Sequence, residues 1–152
     1  MITLEYTRDD AAILAIAGIP DVWHFVSDDV GGDFESFNLP KSPGIHYYLV
    51  KENNHVVGFV LFISVSSLAL EMHAALIPSF RGDKSQQVLQ AIKTTINQDM
   101  PQMKRLRVFI SAWNKPAVIA AIKCELELMG IEPSGSFKDG RYHNLLLFGA
   151  SL

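Results

Sequence analysis

The sequence predicts an α/β (α+β) fold: one domain over residues 1–152, a mixed sheet flanked by helices in the order β-α-α-β-β-β-α-β-α-β-β. Three observations predict it. Apolar residues alternate with period two in some stretches and recur at helical spacing in others. Gly, Pro, Asn and Asp punctuate the junctions between them. Hydrophobic residues make up 49% of the chain and charged ones 19%, enough for a core and too apolar for disorder.

Ile2–Tyr6 alternates as a short strand. Thr7 or Asp9 can cap a helix over Asp10–Ala17, with Ile13, Leu14 and Ala17 on one face. Pro20 fits the first turn of a second short helix carrying Val22, Trp23 and Val26. Gly31 to Gly44 is rich in Gly, Pro, Ser and Asn and reads as a loop. It exceeds the usual connection length, which makes it a substrate loop rather than a linker. Ile45–Lys51, the tight turn Glu52-Asn53-Asn54 and His55–Val65 read as a hairpin, and Ala69–Ile77 as the next strand. Lys84–Gln98 sets Val88, Leu89, Ile92 and Ile96 at helical spacing. Arg105–Ser111 alternates again, with Leu106, Val108 and Ile110 on one face. Asn114 can cap a further helix whose Pro116 lies in the first turn. Val118, Ile119, Ile122, Leu126 and Met129 read as its buried stripe, and Gly130 as its stop. Strands at about Ile131–Phe137 and Arg141–Phe148 flank the turn Asp139-Gly140.

Composition excludes several functions. No apolar run approaches the roughly 20 residues that span a bilayer, so no membrane partner is expected. Met1–Thr7 carries acids where a secretory signal has bases, and the lone Cys124 permits no internal disulfide; a cytoplasmic setting is expected. His24, His46, His55 and His143 lack metal-ligand spacing, so no metal is expected, and no Ser/His/Asp order suggests a hydrolase. Charge is uneven: residues 1–40 sum to −7 and residues 81–107 to +4, within a net −3. That polarity suits an anionic cofactor at one end and a cationic substrate or basic partner at the other, or is a solvated surface with chance clustering. The overall acidity argues against general nucleic-acid binding.

The most informative stretch runs from Ala69 to Ile96: an apolar strand, then Pro78-Ser79-Phe80-Arg81-Gly82-Asp83-Lys84-Ser85, then an amphipathic helix. A strand feeding a helix through a short Arg/Gly turn presents unpaired N–H groups at the positive end of the helix dipole, a seat for phosphate. The plainer alternative is an ordinary capped helix start, with Asp83 as the cap. Within the strand, Glu71 and His73 leave the same face, while Leu70, Met72, Ala74 and Leu76 point the other way as core.

The element order and three local patterns resemble the Gcn5-related N-acetyltransferase superfamily. Leu76-Ile77-Pro78-Ser79-Phe80-Arg81-Gly82 is similar to the family's passage from its fourth strand into the acetyl-CoA pyrophosphate loop. Asn114-Lys115-Pro116-Ala117 is similar to the family's helix opening, and Gly130-Ile131 through Asp139-Gly140-Arg141 to its closing hairpin. The resemblance covers about residues 45–150 and implies a mostly antiparallel sheet.

It also implies acetyl-CoA as cofactor and transfer of its acyl group to an amine substrate, on a small molecule or a protein partner, by direct attack. Backbone groups of Ala75, Leu76 and Ile77 would meet the thioester and pantetheine amides. Arg81, Gly82, Asp83, Lys84 and Ser85 would surround the pyrophosphate, and Asn114 would reach the pantetheine arm or serve only as an N-cap. Glu71 and His73 become the candidate bases, the alternative being a solvent-facing polar pair. Cys124 reads as packing. Two departures stand out. The family's later glycines are replaced by Lys84 and Gln86, and Ala121 stands where many members place a proton-donating tyrosine. Ile19-Pro20-Asp21-Val22-Trp23 followed by Asp28-Asp29 also resembles small acetyltransferase-like proteins of tailed bacteriophages. That implies the alternative of a catalytically silent head-assembly or DNA-ejection factor in the host cytoplasm.

Overall fold

A computed structural model describes all 152 residues. Eleven elements follow the expected order: β1 (Ile2–Thr7), α1 (Asp10–Ala17), α2 (Pro20–Val26), β2 (Ile45–Glu52), β3 (His55–Ser64), β4 (Ala69–Leu76), α3 (Ser85–Asp99), β5 (Arg105–Ser111), α4 (Lys115–Lys123), β6 (Glu127–Lys138) and β7 (Arg141–Ser151). The strands form one seven-stranded sheet in the order β1-β2-β3-β4-β5-β7-β6. Every neighbouring pair is antiparallel except β4 and β5. No helix is long and apolar enough to cross a membrane.

The apolar periodicities decide the layers. On one face, Val88, Ile92 and Ile96 of α3 pack on Val60, Phe62, Leu70 and Leu106. Each such fully buried side chain contributes about 1.5–3 kcal/mol. On the other face, Ile13, Ile16, Ala17 and Val22 of α1 and α2 cover Tyr47, Leu49, Phe59, Leu61 and Ala75. A smaller cluster seats α4 through Ala121 on Ile110 and Phe148.

Local chemistry sets the boundaries. The Asp9 side chain accepts from the Ala12 amide at the start of α1, and Asn114 accepts from Ala117 at the start of α4. Gly31–Gly44 is not wholly irregular, because Phe34–Ser36 forms a 3-10 turn capped by Asp33. The larger correction concerns α4. It ends at Lys123, Glu125 takes φ +56°, and β6 begins at Glu127, so Leu126, Met129 and Gly130 are not helical. Ile119 and Ile122 are exposed, and Ala121 is the buried contact of the helix. The helical spacing of those residues loses to the β-ladder, in which Leu128 pairs with Phe148 and Gly130 with Leu147.

Candidate functional site

Parallel pairing between β4 and β5 covers only Ala69–Glu71 against Arg105–Arg107. Beyond Glu71 the two strands part, and the gap opens a cavity of about 1320 Å³ lined on its strand walls by Ala74, Leu76, Val108 and Ile110. An antiparallel strand alternates its hydrogen-bonding edge, so the direction of each β4 amide follows from one bond. The Ile77 amide donates to Val57 O at 2.9 Å, which sets Ala75, paired with Phe59, toward β3 as well. Of the three residues expected to offer free amides, Ala75 and Ile77 therefore do not. Leu76 does, and so does Ala74, which is exposed and not core. A Cβ on Gly58 would lie 2.3 Å from Ala75 O, so only glycine permits this close approach at the end of β4.

The turn after β4 is bare in its backbone. Apart from Ser85, whose amide bonds to Gly82 O, the N–H groups of Gly82, Asp83, Lys84, Gln86 and Gln87 have no acceptor within the chain. Lys84 is the N-cap of α3 and makes no side-chain cap bond; the Asp83 carboxylate is fully exposed and caps nothing, which corrects the capped-start reading. Gly82 adopts φ +82° with open space where a Cβ would stand. The surrounding side chains are engaged elsewhere. Lys84 pairs with Glu52 at 2.7 Å, and Gln86 donates to Lys123 O at 2.8 Å. Ser85 Oγ donates to Gly82 O. Neither replacement for a family glycine obstructs the amides.

Arg81 is likewise occupied. Its Nε donates to Leu76 O at 3.1 Å, a terminal nitrogen donates to Asp21 O at 3.0 Å, and its guanidinium lies 5.1 Å from the centre of the Phe25 ring. Asn114 caps α4 and donates through Nδ2 to Phe25 O at 3.3 Å. Trp113 stacks on the same Phe25 ring. Helix α2 thus bridges the split, tied to the β4 side by Arg81 and to the β5 side by Trp113 and Asn114.

Glu71 and His73 lie on the α1/α2 face of β4 and line the cavity, with His73 Nε2 2.8 Å from Glu71 Oε1. The carboxylate is mostly buried and the ring half-exposed. A carboxylate at Nε2 fixes that nitrogen as the N–H donor and leaves Nδ1 as the acceptor. Register places Arg107 beside Glu71, yet the two form no ion pair. Of the tyrosines only Tyr47 lines the cavity; its hydroxyl donates to Pro40 O, and burial, then Asp10, pushes its pKa up. No group of three or more His, Cys, Asp or Glu side chains is placed to hold a metal.

No protein-family model matches the chain, nor does any curated protein. Solved structures do. A spermidine N-acetyltransferase from Vibrio cholerae, in complex with CoA and spermine, superposes with a TM-score of 0.76 at 13% identity, over 99% of this chain and 95% of that one. An acetyltransferase of the GNAT family from Streptococcus pneumoniae gives 0.71 at 14% identity, over 100% of both chains. The chain has the Gcn5-related N-acetyltransferase fold. An acetyltransferase from Salmonella typhimurium that modifies the N-terminal serine of ribosomal protein L7/L12 gives 0.63 at 20% identity, over 72% of this chain and 65% of that one.

Within this acetyltransferase fold, Ala121 is buried against Ile110 and Phe148. Cys124 sits at the end of α4 with its thiol pKa raised by burial, partly offset by Lys93, as packing requires. The sequence reading passed over Trp113, Ser136 and Lys138. A lysine only 6% exposed is the most unusual of these, and its alternation with Ser136 on one strand face was the available signal.

Proposed function

We propose that this chain is an acetyl-CoA-dependent N-acetyltransferase in which an amine attacks the bound acyl donor directly. The observation that carries this reading is the set of five unpartnered main-chain amides, Gly82 to Gln87, at the positive end of α3 and beside the open split. These amides fit a diphosphate, and those of Ala74 and Leu76 fit the amide groups of a pantetheine arm. Acetyl-CoA, when bound, supplies an activated acyl group. Spermidine in one structural neighbour and an N-terminal serine in another are both primary amines, which supports an amine acceptor.

His73 removes the proton. Its Nδ1 accepts it from the amine, directly or through one water, while Glu71 holds Nε2–H and stabilises the imidazolium that results. The acidic region 1–40, at −7, draws a cationic amine toward the α1/α2 face. Isothermal titration with acetyl-CoA tests the reading. Binding in the micromolar range, followed by acetyl transfer to a primary amine, is expected; no heat at millimolar coenzyme sinks it.

A second reading is a binding or assembly factor that keeps the fold without turnover, of the kind the phage resemblance implies. One observation favours it: the only cavity tyrosine, Tyr47, already donates its proton to Pro40 O, so no tyrosine is free to protonate a leaving thiolate. That reading requires Glu71→Gln and His73→Ala to leave biological function intact. Their loss of function in folded protein excludes it.

A further inference from the structure

The sheet has two edges, and they differ. β1 is six residues long; its Ile2 and Leu4 pack on the α3 cluster and its Glu5 pairs with Lys51. β6, at the other edge, runs for twelve residues, of which Glu127, Leu128, Met129, Ile131 and Glu132 are exposed. A bare edge strand invites a second chain unless charge, proline or a bulge prevents it. Here the register shift between Leu128 and Gly130, and Pro133 beyond it, interrupt the ladder edge. They leave the side chains beside it uncovered.

Those side chains join an apolar stripe of α4. Leu128 pairs with Phe148 and Ile131 with Leu146, so both stand on the α4 face of the sheet, where Phe148 and Leu146 pack with that helix. Within α4, Ala121 faces the sheet and Cys124 faces Lys93 of α3. Lys115, Ile119 and Ile122 share one stripe at helical spacing. A turn of about 100° per residue sets that stripe on the side away from Cys124, toward β6. Ile119, Ile122, Leu128 and Ile131 are each between 50% and 63% exposed. Single exposed apolar residues are ordinary, whereas four adjacent ones mark a contact face.

Charge identifies the occupant. Exposed Lys115 stands on the helix side of this face, and exposed Glu127 and Glu132 stand on the strand side. None of the three has an ion-pair partner within the chain. A two-fold axis through the face lays α4 of one copy on β6 of another, and sets Lys115 against Glu127 and Glu132 of the partner subunit. We propose that this face joins two copies of the chain in a homodimer, packed α4 on β6 by side chains and not by extension of the sheet. Twelve residues between Lys115 and Pro133 are exposed. At roughly 30–40 Å² each they bury about 400 Å² per copy, the size of a reversible contact that forms at micromolar concentration. The dimer requires no acyl transfer, so it is independent of the function proposed above. Lys115, Ile119 and Glu132 also border the cavity, which makes coenzyme the rival occupant.

Sedimentation equilibrium of the full-length chain tests this. The weight-average mass is expected to rise from one chain to two, and no further, between about 1 and 500 μM. Ile122→Glu and Leu128→Glu should each weaken the dimer at least about tenfold, with thermal midpoints unchanged because both side chains are half exposed or more. Val56→Glu, on β3, should leave the association as it is. Lys115→Glu should also weaken it about tenfold, and the combination Lys115→Glu/Glu127→Lys/Glu132→Lys should restore it. Saturating coenzyme A should leave the mass unchanged. A single-chain mass at about 500 μM overturns the proposal, as does association beyond two copies or a dimer indifferent to Ile122→Glu and Leu128→Glu. A charge swap that fails to restore the dimer removes the α4-on-β6 arrangement. Dissociation by coenzyme A assigns the face to the coenzyme and overturns the proposal while supporting acyl-CoA binding.

Discussion

Arg81 stands where the family resemblance puts a phosphate ligand, yet its guanidinium serves the chain itself, on Leu76 O, Asp21 O and the Phe25 ring. Residue identity was legible here and residue task was not, because one of those partners lies 60 positions away. The assignment gives opposite outcomes for two adjacent substitutions. Arg81→Ala should destabilise the fold by about 1–2 kcal/mol, the loss of two hydrogen bonds and a cation–π contact, and change acetyl-CoA affinity less than about threefold. Gly82→Ala should cost only about 1 kcal/mol in urea unfolding, since its positive φ is strained but the space is open, while turning the free amides and weakening acetyl-CoA about tenfold. Titration calorimetry beside urea melts separates the two; Arg81→Ala losing coenzyme more than Gly82→Ala defeats the assignment. At the proposed base, period-two alternation alone put Glu71 and His73 on one face, and they meet at 2.8 Å. His73→Ala should lower kcat roughly 10²–10⁴-fold, with partial rescue by imidazole in the buffer because the site is half-exposed.

Elements were readable where one periodicity applied and misread where two competed. The stripe Val118 to Met129 fits a helix, but β7 offers a ladder to the residues after Leu126, and the pairing of Leu128 with Phe148 outweighs local propensity. Nothing local signals Gly58 either, whose absent side chain lets β3 approach the end of β4. Gly58→Ala should cost about 1–3 kcal/mol and shift the Ala75–Leu76 wall of the cavity, seen as weaker acetyl-CoA binding; a stable variant with unchanged affinity refutes that role. Across the sheet, Tyr48 of β2 donates to Asp99 at the end of α3 at 2.9 Å. Burial first, then the Asp99 carboxylate, raises its pKa well above the ordinary tyrosine value. The folded state then holds a proton that the unfolded state releases above about pH 10, so this stabilisation is complete below pH 10 and falls as pH rises further. Urea melts of Tyr48→Phe should lose about 1–2 kcal/mol at neutral pH and show a shallower alkaline decline than the parent protein.

On the scale of the whole molecule, the sheet order and its two helical faces follow from patterning, whereas the closure of the site does not. The sheet is split by three paired residues giving way to a gap, and the gap is spanned by a seven-residue helix from the other end of the sequence. Arg81 ties α2 to the β4 side and Asn114 ties it to the β5 side, the latter across 89 positions. Such contacts leave no trace in composition or spacing, since each partner is a main-chain carbonyl that any residue could supply. The two ties act on one short helix that buries only Val22 fully, so they share a task. While either holds, α2 is hydrogen-bonded to one side of the split; with both gone, it keeps only the packing of Val22, the Trp113–Phe25 stack and the bonds of Lys138 to the His24 and Ser27 carbonyls. Arg81→Ala and Asn114→Ala should therefore each cost about 1–2 kcal/mol alone, and the double variant should exceed their sum by more than about 0.5 kcal/mol. Hydrogen exchange should show the same coupling locally: Trp23 to Val26 amides modestly faster in each single variant and more than additively faster in the double, with β2 and β3 amides unaffected. Additive energies with α2 still protected would mean that the helix is held by its own packing and that the bridge across the split is incidental.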